Sequence, residues 1–396
     1  MTRKINKNIS LLLFIAAITF IFSVTSCTGK NKESLEPEVS HNYENNYFVL
    51  DFEKQEYDFE DLQKYFFTTF PHKDPTLGDV VYDRTKWVNE NMIEIKKNDG
   101  LYSYVRSRND SLGFDSFRLT SKAYFNIKND NSKILFVFKG EVPSSKGIWP
   151  AWWLNGSSED EWLYRNNDAT DEALDSFSGI GNYYDTPSAV NCTDWPSGGE
   201  IDIIETVNGD NVIHNTIHTC PQMCNSEWND DGVIINCANS NESDPNPGCS
   251  GKTYNVDETR GTFACVLEKK SIRYYYWEPG EDIRNVGGPL HSNPDEKLWR
   301  DKYLKNEAKL VENEVDCSDE VHQAWQCENC SGSNTCTFKN MKMIFNITIC
   351  GVWAGNNFDD SDSAFDNCKE YIMGEGKNLI NGQFVKLEYV SVSELK

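Results

Sequence analysis

Residues 198–205 read Gly-Gly-Glu-Ile-Asp-Ile-Ile-Glu and thread three carboxylates through a run of β-branched residues. The isoleucines at 201, 203 and 204 favour a β-strand. Because successive side chains of a strand point to opposite faces, Glu200 and Asp202 should share one face. Glu205 is out of phase with them unless a β-bulge takes up one extra residue and returns it to that face.

A bulged strand of this kind would carry a specific chemistry. Two glutamates on one face, with an aspartate between them, suit a double-displacement glycosidase, whose nucleophile and acid/base lie about 5–5.5 Å apart. For an isolated Glu-x-Asp-x-x-Glu pattern, an exposed strand with solvated acids is the simpler interpretation. The flanking sequence decides between the two.

Four further segments accompany the acids. Residues 147–156 read Gly-Ile-Trp-Pro-Ala-Trp-Trp-Leu-Asn-Gly, and residues 215–219 read Asn-Thr-Ile-His-Thr. Residues 74–78 read Asp-Pro-Thr-Leu-Gly, and residues 345–355 read Phe-Asn-Ile-Thr-Ile-Cys-Gly-Val-Trp-Ala-Gly. With these segments the chain resembles glycoside hydrolase family 16 from about residue 47 to 392, and within it the fungal-type endo-β-1,3(4)-glucanases or laminarinases.

The resemblance implies a fold and a set of site residues. The fold would be an all-β jelly-roll sandwich of two curved antiparallel sheets, with a substrate cleft on the concave face; the many short alternating segments separated by polar turns independently favour a sandwich. Glu200 would be the nucleophile, Glu205 the acid/base and Asp202 an assisting residue. The substrate-binding residues would be Trp149, Trp153, Asn215, His218 and Trp353. Trp152 should lie on the other face, and His214 shares the strand phase of His218 without a motif match.

The implied activity is that of a retaining endo-β-glucanase that hydrolyses internal β-1,3 or mixed β-1,3/1,4 bonds. Two alternatives stay open: a transglycosylase acting on cell-wall β-glucan, and a β-glucan-binding module without catalysis, although such modules generally lose the glutamates. The expected partner is a β-glucan, the chain is expected to be a monomer, and no cofactor is expected; some relatives hold a structural calcium, for which no ligand set stands out here.

Composition narrows the possible partners. The formal net charge of −24 makes nucleic acid a poor ligand, and it would also repel sulfated polysaccharides. A neutral polysaccharide is indifferent to that charge. The 11 tryptophans fit sugar stacking as well as core packing.

The N-terminus has the pattern of an export signal. A basic start is followed by an apolar run and by the small residues before Cys27, which predicts a signal peptide over residues 1–26. Val24-Thr25-Ser26-Cys27 also resembles a bacterial lipobox, so ordinary secretion and a lipid anchor at Cys27 are both open. We expect an extracellular protein, with a polar tether over residues 27–46 and a catalytic domain over residues 47–396.

The cysteines fit an oxidising compartment. Of the 13, twelve follow Cys27, an even number that favours disulfides. The best single guess for a pair is Cys350 with Cys368; cysteines 220, 224, 237 and 249 should staple a loop, and zinc at Cys327-x-x-Cys330 is the less favoured alternative. The six sequons that follow Cys27, at asparagines 109, 155, 191, 241, 329 and 346, would accept glycans in a eukaryotic host.

Two long inserts are expected. The first, residues 159–193, would enter the catalytic strand as a loop. The second, residues 281–337, should lack regular structure and be functional or cross-linked.

Overall fold

Two antiparallel β-sheets, of ten and eight strands, make up most of the structure. The computed structural model describes residues 44–68, 72–73, 78–82, 92–108, 113–156, 198–219, 224–237, 248–256, 259–312, 338 and 340–396. All of these residues belong to one compact unit. The predicted all-β fold is confirmed.

The larger sheet contains ten strands, of which nine form a continuous path and one pairs at its side. In spatial order the path is β15 (Ile234–Asn236), β14 (Cys224–Trp228), β20 (Leu304–Glu312), β19 (Ser271–Trp277), β18 (Arg260–Glu268), β10 (Lys133–Glu141), β22 (Phe384–Glu394), β6 (Gly100–Tyr104) and β5 (Ile93–Lys96), with β1 (Phe48–Asp51) beside β22.

The smaller of the two sheets carries the acidic stretch near its middle. In spatial order it contains β16 (Cys249–Ser250), β13 (Val212–His218), β12 (Glu200–Glu205), β11 (Ile148–Asn155), β21 (Lys342–Ile349), β9 (Arg118–Ser121) and β2 (Phe66–Thr68), with β17 (Tyr254–Asn255) beside β13.

Short elements surround the two sheets. A third sheet joins β3 (His72–Lys73), β4 (Val80–Tyr82), β8 (Phe114–Ser116) and β7 (Arg106–Ser107). The helices are α1 (Phe59–Tyr65), a 3-10 turn (Glu296–Leu298), α2 (Arg300–Tyr303), α3 (Gly351–Asn356), α4 (Ala364–Met373) and α5 (Lys377–Ile380). Asp58 caps helix α1, because its side chain accepts a hydrogen bond from the backbone N–H of Asp61.

The main core lies between the two large sheets. Alternate residues of each strand point inward, as the period of two requires. Phe138 of β10 meets Trp152 of β11 and Phe345 of β21, with ring centroids 5.5 and 5.2 Å away. Trp152 is fully buried, which confirms its predicted position on the face opposite to its neighbours Trp149 and Trp153.

The outer face of the ten-stranded sheet is also buried. A second cluster, which includes Val266, Tyr275, Trp277 and Trp299, packs between this face and the segment 281–303. Arg273 anchors the segment, because its guanidinium Nε donates to Glu296 at 2.6 Å from a position that is almost fully buried. The core strands β18 and β19 are therefore covered on both sides.

The prediction for residues 281–337 was wrong in its first half. This stretch contains the 3-10 turn, α2 and the nine-residue strand β20, which pairs with both β19 and β14. The apolar residues that signal the strand are widely spaced between charged ones, and this hides it in the sequence. Residues 313–337 and the first insert, 159–193, lie outside the described residues.

Two disulfides are present in the described chain. Cys350 pairs with Cys368, as predicted, and Cys237 pairs with Cys249 within the loop that was expected to be stapled. Cys265 is a free thiol, buried in the core on β18. The expected disulfides are therefore present in the described chain, while Cys265 remains unpaired as a small apolar core residue. The Cys327-x-x-Cys330 pattern lies outside the described residues.

Several smaller expectations can also be compared. Ordered structure begins before Tyr47, since Glu44 bridges to Tyr124. Residues 122–127 form no strand and take part in two isolated bridges, between Tyr124 and Glu44 and between Phe125 and Met341. Two of the sequon asparagines, Asn155 and Asn346, are buried on strands and are not open to glycosylation. The signal region and Cys27 lie outside the described residues, and none of the described helices has the length and apolarity needed to cross a membrane.

Candidate active site

A one-residue bulge in β12 brings the three acids to one face. On β13, the cross-strand partners of Glu200, Asp202 and Glu205 are residues 218, 216 and 214, which alternate regularly and so share a face. On β11 the partners are residues 155, 153 and 151, which also alternate. Ile203 has no partner in either register. The predicted bulge is therefore present, and Ile203 is the extra residue.

Two glycines allow the chain to enter this strand. Gly199 has a φ of +80°, and a Cβ added there would lie 2.5 Å from the ring of Phe338. A Cβ added at Gly198 would lie 2.4 Å from the backbone of Gly156. The Gly-Gly pair before Glu200 is thus required by backbone conformation and by close approach.

Glu205 occupies the position of a proton donor. Burial raises the pKa of its carboxyl well above the ordinary value, and the nearby charge of Asp202 raises it further. The hydrogen bond from Trp149 and the proximity of His218 act in the opposite direction but are weaker. Trp149 donates its indole N–H to Oε1 of Glu205 at 2.9 Å. Burial therefore favours the protonated form of this carboxyl, and the indole of Trp149 fixes its direction.

Asp202 is the most enclosed of the three acids. It is 2 % exposed, and burial raises the pKa of its carboxyl well above the ordinary value. Its Oδ2 has no hydrogen-bond partner of ordinary geometry among the described residues, although His218 Nε2 is 3.4 Å away. The same imidazole nitrogen is 3.9 Å from Oε1 of Glu200. His218 therefore lies beside both acids, as its motif match predicted.

Aromatic side chains line one side of Glu205. The ring of Trp353, carried on α3, meets Trp149 edge-on at 5.4 Å and His214 at 5.0 Å. His214 is the direct cross-strand partner of Glu205, and its Nε2 lies 3.8 Å from Asp210. Burial lowers the pKa of His214, although Asp210 opposes that shift. Trp149 and Trp353 are thus both brought to the acidic site.

Trp153 lies on the same face of the sheet as the three acids, on the neighbouring strand β11. It is the cross-strand partner of Asp202, and its indole N–H donates to Asn346 at 2.7 Å. The guanidinium of Arg118 lies 5.0 Å from its ring. Trp153 therefore extends the aromatic surface towards β21 and β9.

The structure contradicts the prediction that Asn215 contacts substrate. Asn215 is 1 % exposed and belongs to the opposite face of β13, which packs against the other sheet. Its amide donates to the carbonyl of Ile203 at 2.8 Å. The motif match placed this residue correctly near the acids, but the strand phase turns its side chain inward.

Some residues on this face had no individual signal in the sequence. His214 shared the strand phase of His218 and could have been found from that alone. Arg118 and Asn346 reach the face only because β9 and β21 pair beside β11, a long-range arrangement that local periodicity does not report. 

Among the described residues, one group has a metal-ligating geometry. Ligand atoms of Glu200, Asp202 and His218 all lie within 4.8 Å of one another. These residues are the candidate catalytic acids and their histidine, so the group has an explanation that needs no metal. In the described part of the chain, no second cluster of three His, Cys, Asp or Glu side chains has this geometry.

Comparisons with known proteins agree with this geometry. Residues 189–392 match the family model described as "XgeA-like, catalytic GH16 domain". An endo-1,3(4)-beta-glucanase of Emericella nidulans is 22 % identical over 352 residues, which cover 83 % of this chain and 45 % of that protein. An Aspergillus flavus protein named "Probable endo-1,3(4)-beta-glucanase" is 24 % identical over 346 residues, covering 82 % of this chain and 42 % of the relative. This chain thus spans less than half the length of these two relatives.

A solved structure shares the fold. An elongating GH family 16 beta-1,3-glucosyltransferase superposes with a TM-score of 0.53 and 19 % identity, covering 87 % of this chain and 98 % of the other. At this level of identity the match supports the architecture alone.

Proposed function

Since the chain belongs to the XgeA-like catalytic domains of glycoside hydrolase family 16, we propose that it is a retaining endo-β-glucanase acting on β-1,3 or mixed β-1,3/1,4 glucan. One observation carries the proposal. The bulge at Ile203 places Glu200, Asp202 and Glu205 on one face of β12, beside tryptophans of β11 and α3.

Glu200 and Glu205 divide the reaction between them. Glu200 attacks the anomeric carbon and forms a glycosyl-enzyme, while Glu205 gives its proton to the departing glycosidic oxygen. Glu205 then removes a proton from water, which attacks the anomeric carbon and releases Glu200. The raised pKa of Glu205 suits the first step, because an acid catalyst must be protonated at the working pH.

Asp202 and His218 prepare the nucleophile. Asp202 lies beside Glu200, with ligand atoms of the two carboxyls within 4.8 Å of each other, and burial raises the pKa of Asp202. His218 lies within 3.9 Å of both carboxyls and limits their movement. Neither role requires a cofactor.

The tryptophans indicate the substrate. Trp149, Trp153 and Trp353 surround the acids with flat apolar surfaces, to which the faces of pyranose rings can bind. The relatives named as endo-1,3(4)-beta-glucanases support a β-glucan as the polysaccharide. The net charge of −24 favours a neutral chain over a sulfated one.

The test is a set of assays on purified protein. Reducing-sugar release and product sizes on laminarin, lichenan, xyloglucan and agarose would identify the substrate. Proton NMR of the first product should show retention of the β-configuration, and net inversion would contradict the roles of both glutamates. Products longer than the substrate would identify a transglycosylase, and binding without turnover would leave a binding module.

Variants assign the individual roles. Glu200→Gly should be inactive on glucan, and azide should partly restore turnover with inverted products. Glu94→Gln is the matched control, because Glu94 is an exposed strand glutamate on the edge strand of the other sheet. This control should keep full activity.

We further propose that the protein is exported, with mature chains beginning at or near Cys27. The basic, apolar and small-residue pattern of residues 1–27 supports this proposal. Intact mass of the mature protein tests it: retention of Met1 excludes cleavage, and a start beyond Cys27 without lipid excludes the anchor.

A further inference from the structure

The bulge that places Glu205 is contacted by a buried side chain from the core side of the sheet. Ile203 has no partner in the ladder with β11 or with β13, so its backbone groups need partners elsewhere. The side-chain amide of Asn215 donates to the Ile203 carbonyl at 2.8 Å from a fully buried position. This contact is made from the core side of the sheet, opposite to the acids.

Asn215 is itself fixed by the other sheet. Asn306 of β20 donates its amide N–H to Oδ1 of Asn215 at 2.6 Å and to the backbone carbonyl of Lys252 at 2.7 Å. Its own Oδ1 accepts from Asn229 at 3.2 Å. Asn306 is fully buried. A chain of amides therefore runs from the ten-stranded sheet, across the core, to the bulge.

Burying these amides costs folding free energy unless all of their hydrogen bonds are made. Buried amides are tolerated only when each donor and acceptor is satisfied, and a partly satisfied network is less stable than an apolar core. Two asparagines of this network, Asn215 and Asn306, are fully buried in the main core, and Asn229 is partly buried. The network ends at the carbonyl of Ile203, at the bulge.

The alternative state of β12 is a regular strand. If the extra residue were not held, the period of two would turn Glu205 to the face opposite Glu200. We propose that Asn215 and Asn306 are positioning residues, which lock the bulge at Ile203 and thereby keep Glu205 in the cleft. The inference rests on the proposed role of Glu205 as acid/base.

The experiment compares two variants with a control. Asn215→Leu keeps the branched shape and removes the donor to Ile203, and Asn306→Ala removes the donor to Asn215 but leaves the contact with Ile203 in place. The control is Ser116→Ala, because Ser116 is a fully buried side chain that donates to the strand carbonyl of Ile347 at 2.7 Å, away from the bulge. Urea unfolding of all three measures any general loss of stability.

Activity should separate the two kinds of substrate. On laminarin, kcat/KM should fall at least about tenfold in Asn215→Leu and less in Asn306→Ala, since a positioned general acid contributes about 10²–10⁴-fold. On an aryl glucoside with a dinitrophenolate leaving group, which needs no proton, the glycosylation rate should change less than about threefold. The control should lose little on either substrate. Equal losses on both substrates would overturn the proposal, as would full activity in Asn215→Leu.

The titration of Glu205 provides a readout that does not depend on turnover. When the bulge relaxes, Glu205 leaves its half-buried position beside Trp149 and Asp202 and becomes better solvated, so its carboxyl should titrate at lower pH in Asn215→Leu. The neighbouring charged or titratable groups, Asp202 on β12 and His214 and His218 on β13, are unchanged by the substitution. Carbon NMR of the labelled carboxyl measures this directly. An unaltered titration in Asn215→Leu would overturn the proposal that Asn215 and Asn306 lock the bulge. A shifted titration in Asn215→Leu, together with an inactive native enzyme, would overturn only the proposed function. If Asn215→Leu does not fold, the same comparison is made with Asn306→Ala.

Discussion

The Asp202→Asn variant should become increasingly stable relative to the native protein as the pH rises. Asp202 is 2 % exposed, and burial raises the pKa of its carboxyl well above the ordinary value. A group whose pKa is raised by folding contributes stability below its unfolded pKa, about 3.9 for aspartate, and loses that contribution as the pH rises through its folded pKa. Asparagine has nearly the same shape and no proton to lose.

The magnitude follows from the number of protons involved. Between the unfolded and folded pKa values, the folded protein holds one proton at Asp202 that the unfolded chain has released. Each such proton lowers the free energy of unfolding by about 1.4 kcal/mol per pH unit. The difference in unfolding free energy between Asp202→Asn and the native protein should therefore grow by about that amount per unit above pH 5, until Asp202 ionises in the folded state.

Urea denaturation from pH 5.5 to 8, with the disulfides intact, measures this difference. Glu388→Gln is the control: burial alone would raise the pKa of Glu388, but hydrogen bonds from Lys386 and Lys139 outweigh it and lower the pKa. Its contribution is lost only at acid pH, so its difference from native should be flat in this range. A flat difference for Asp202→Asn would refute the reasoning, because it would mean that Asp202 is ionised in the folded protein and compensated by His218.

Three further outcomes are expected. Trp149→Phe should move the alkaline limb of the kcat/KM profile to higher pH, because the indole N–H lowers the pKa of Glu205 and the variant lacks it; an unmoved limb would exclude Glu205 as the group that titrates there. Trp353→Ala should lower kcat/KM on long glucans about threefold to tenfold, as expected for loss of one aromatic pair. The unfolding midpoint should not change. A large fall in stability with full activity would make this tryptophan a core residue. Cys265 should be unreactive in native thiol titration and appear on unfolding, since it is buried and burial raises the pKa of its thiol; rapid native labelling of this residue, located by mass mapping, would show that its strand opens.

Much of the fold could be predicted from local patterns. The strands β10, β18 and β19 are rich in apolar and aromatic residues and are bounded by turns, which fits the predicted sandwich. β20 was missed because its burial depends on neighbours from distant parts of the chain. A strand of mixed composition becomes recognisable only when its partners are known.

The site shows the same division between local and distant information. The spacing of the acids in residues 198–205 required a bulge in β12, and the bulge is present. The inward orientation of Asn215 was equally readable from strand phase, since it lies one residue out of phase with His214 and His218. The motif match outweighed that simple rule and produced the wrong role. Partners such as Asn306 required the packing of two sheets.

The acid site and the core network impose opposite demands on one strand. On the outer face, burial raises the pKa values of Asp202 and Glu205, so the folded protein loses stability as the pH rises. On the inner face, isoleucines of β12 pack into the main core, and the amide of Asn215 satisfies the carbonyl that the bulge exposes. An apolar substitution in the network would cost a hydrogen bond, while neutral substitutions at the acids would relieve a burial penalty. Substitutions on the inner face should therefore lower both stability and activity. Substitutions of the acids on the outer face should raise stability while lowering activity. This difference separates supporting residues from catalytic ones.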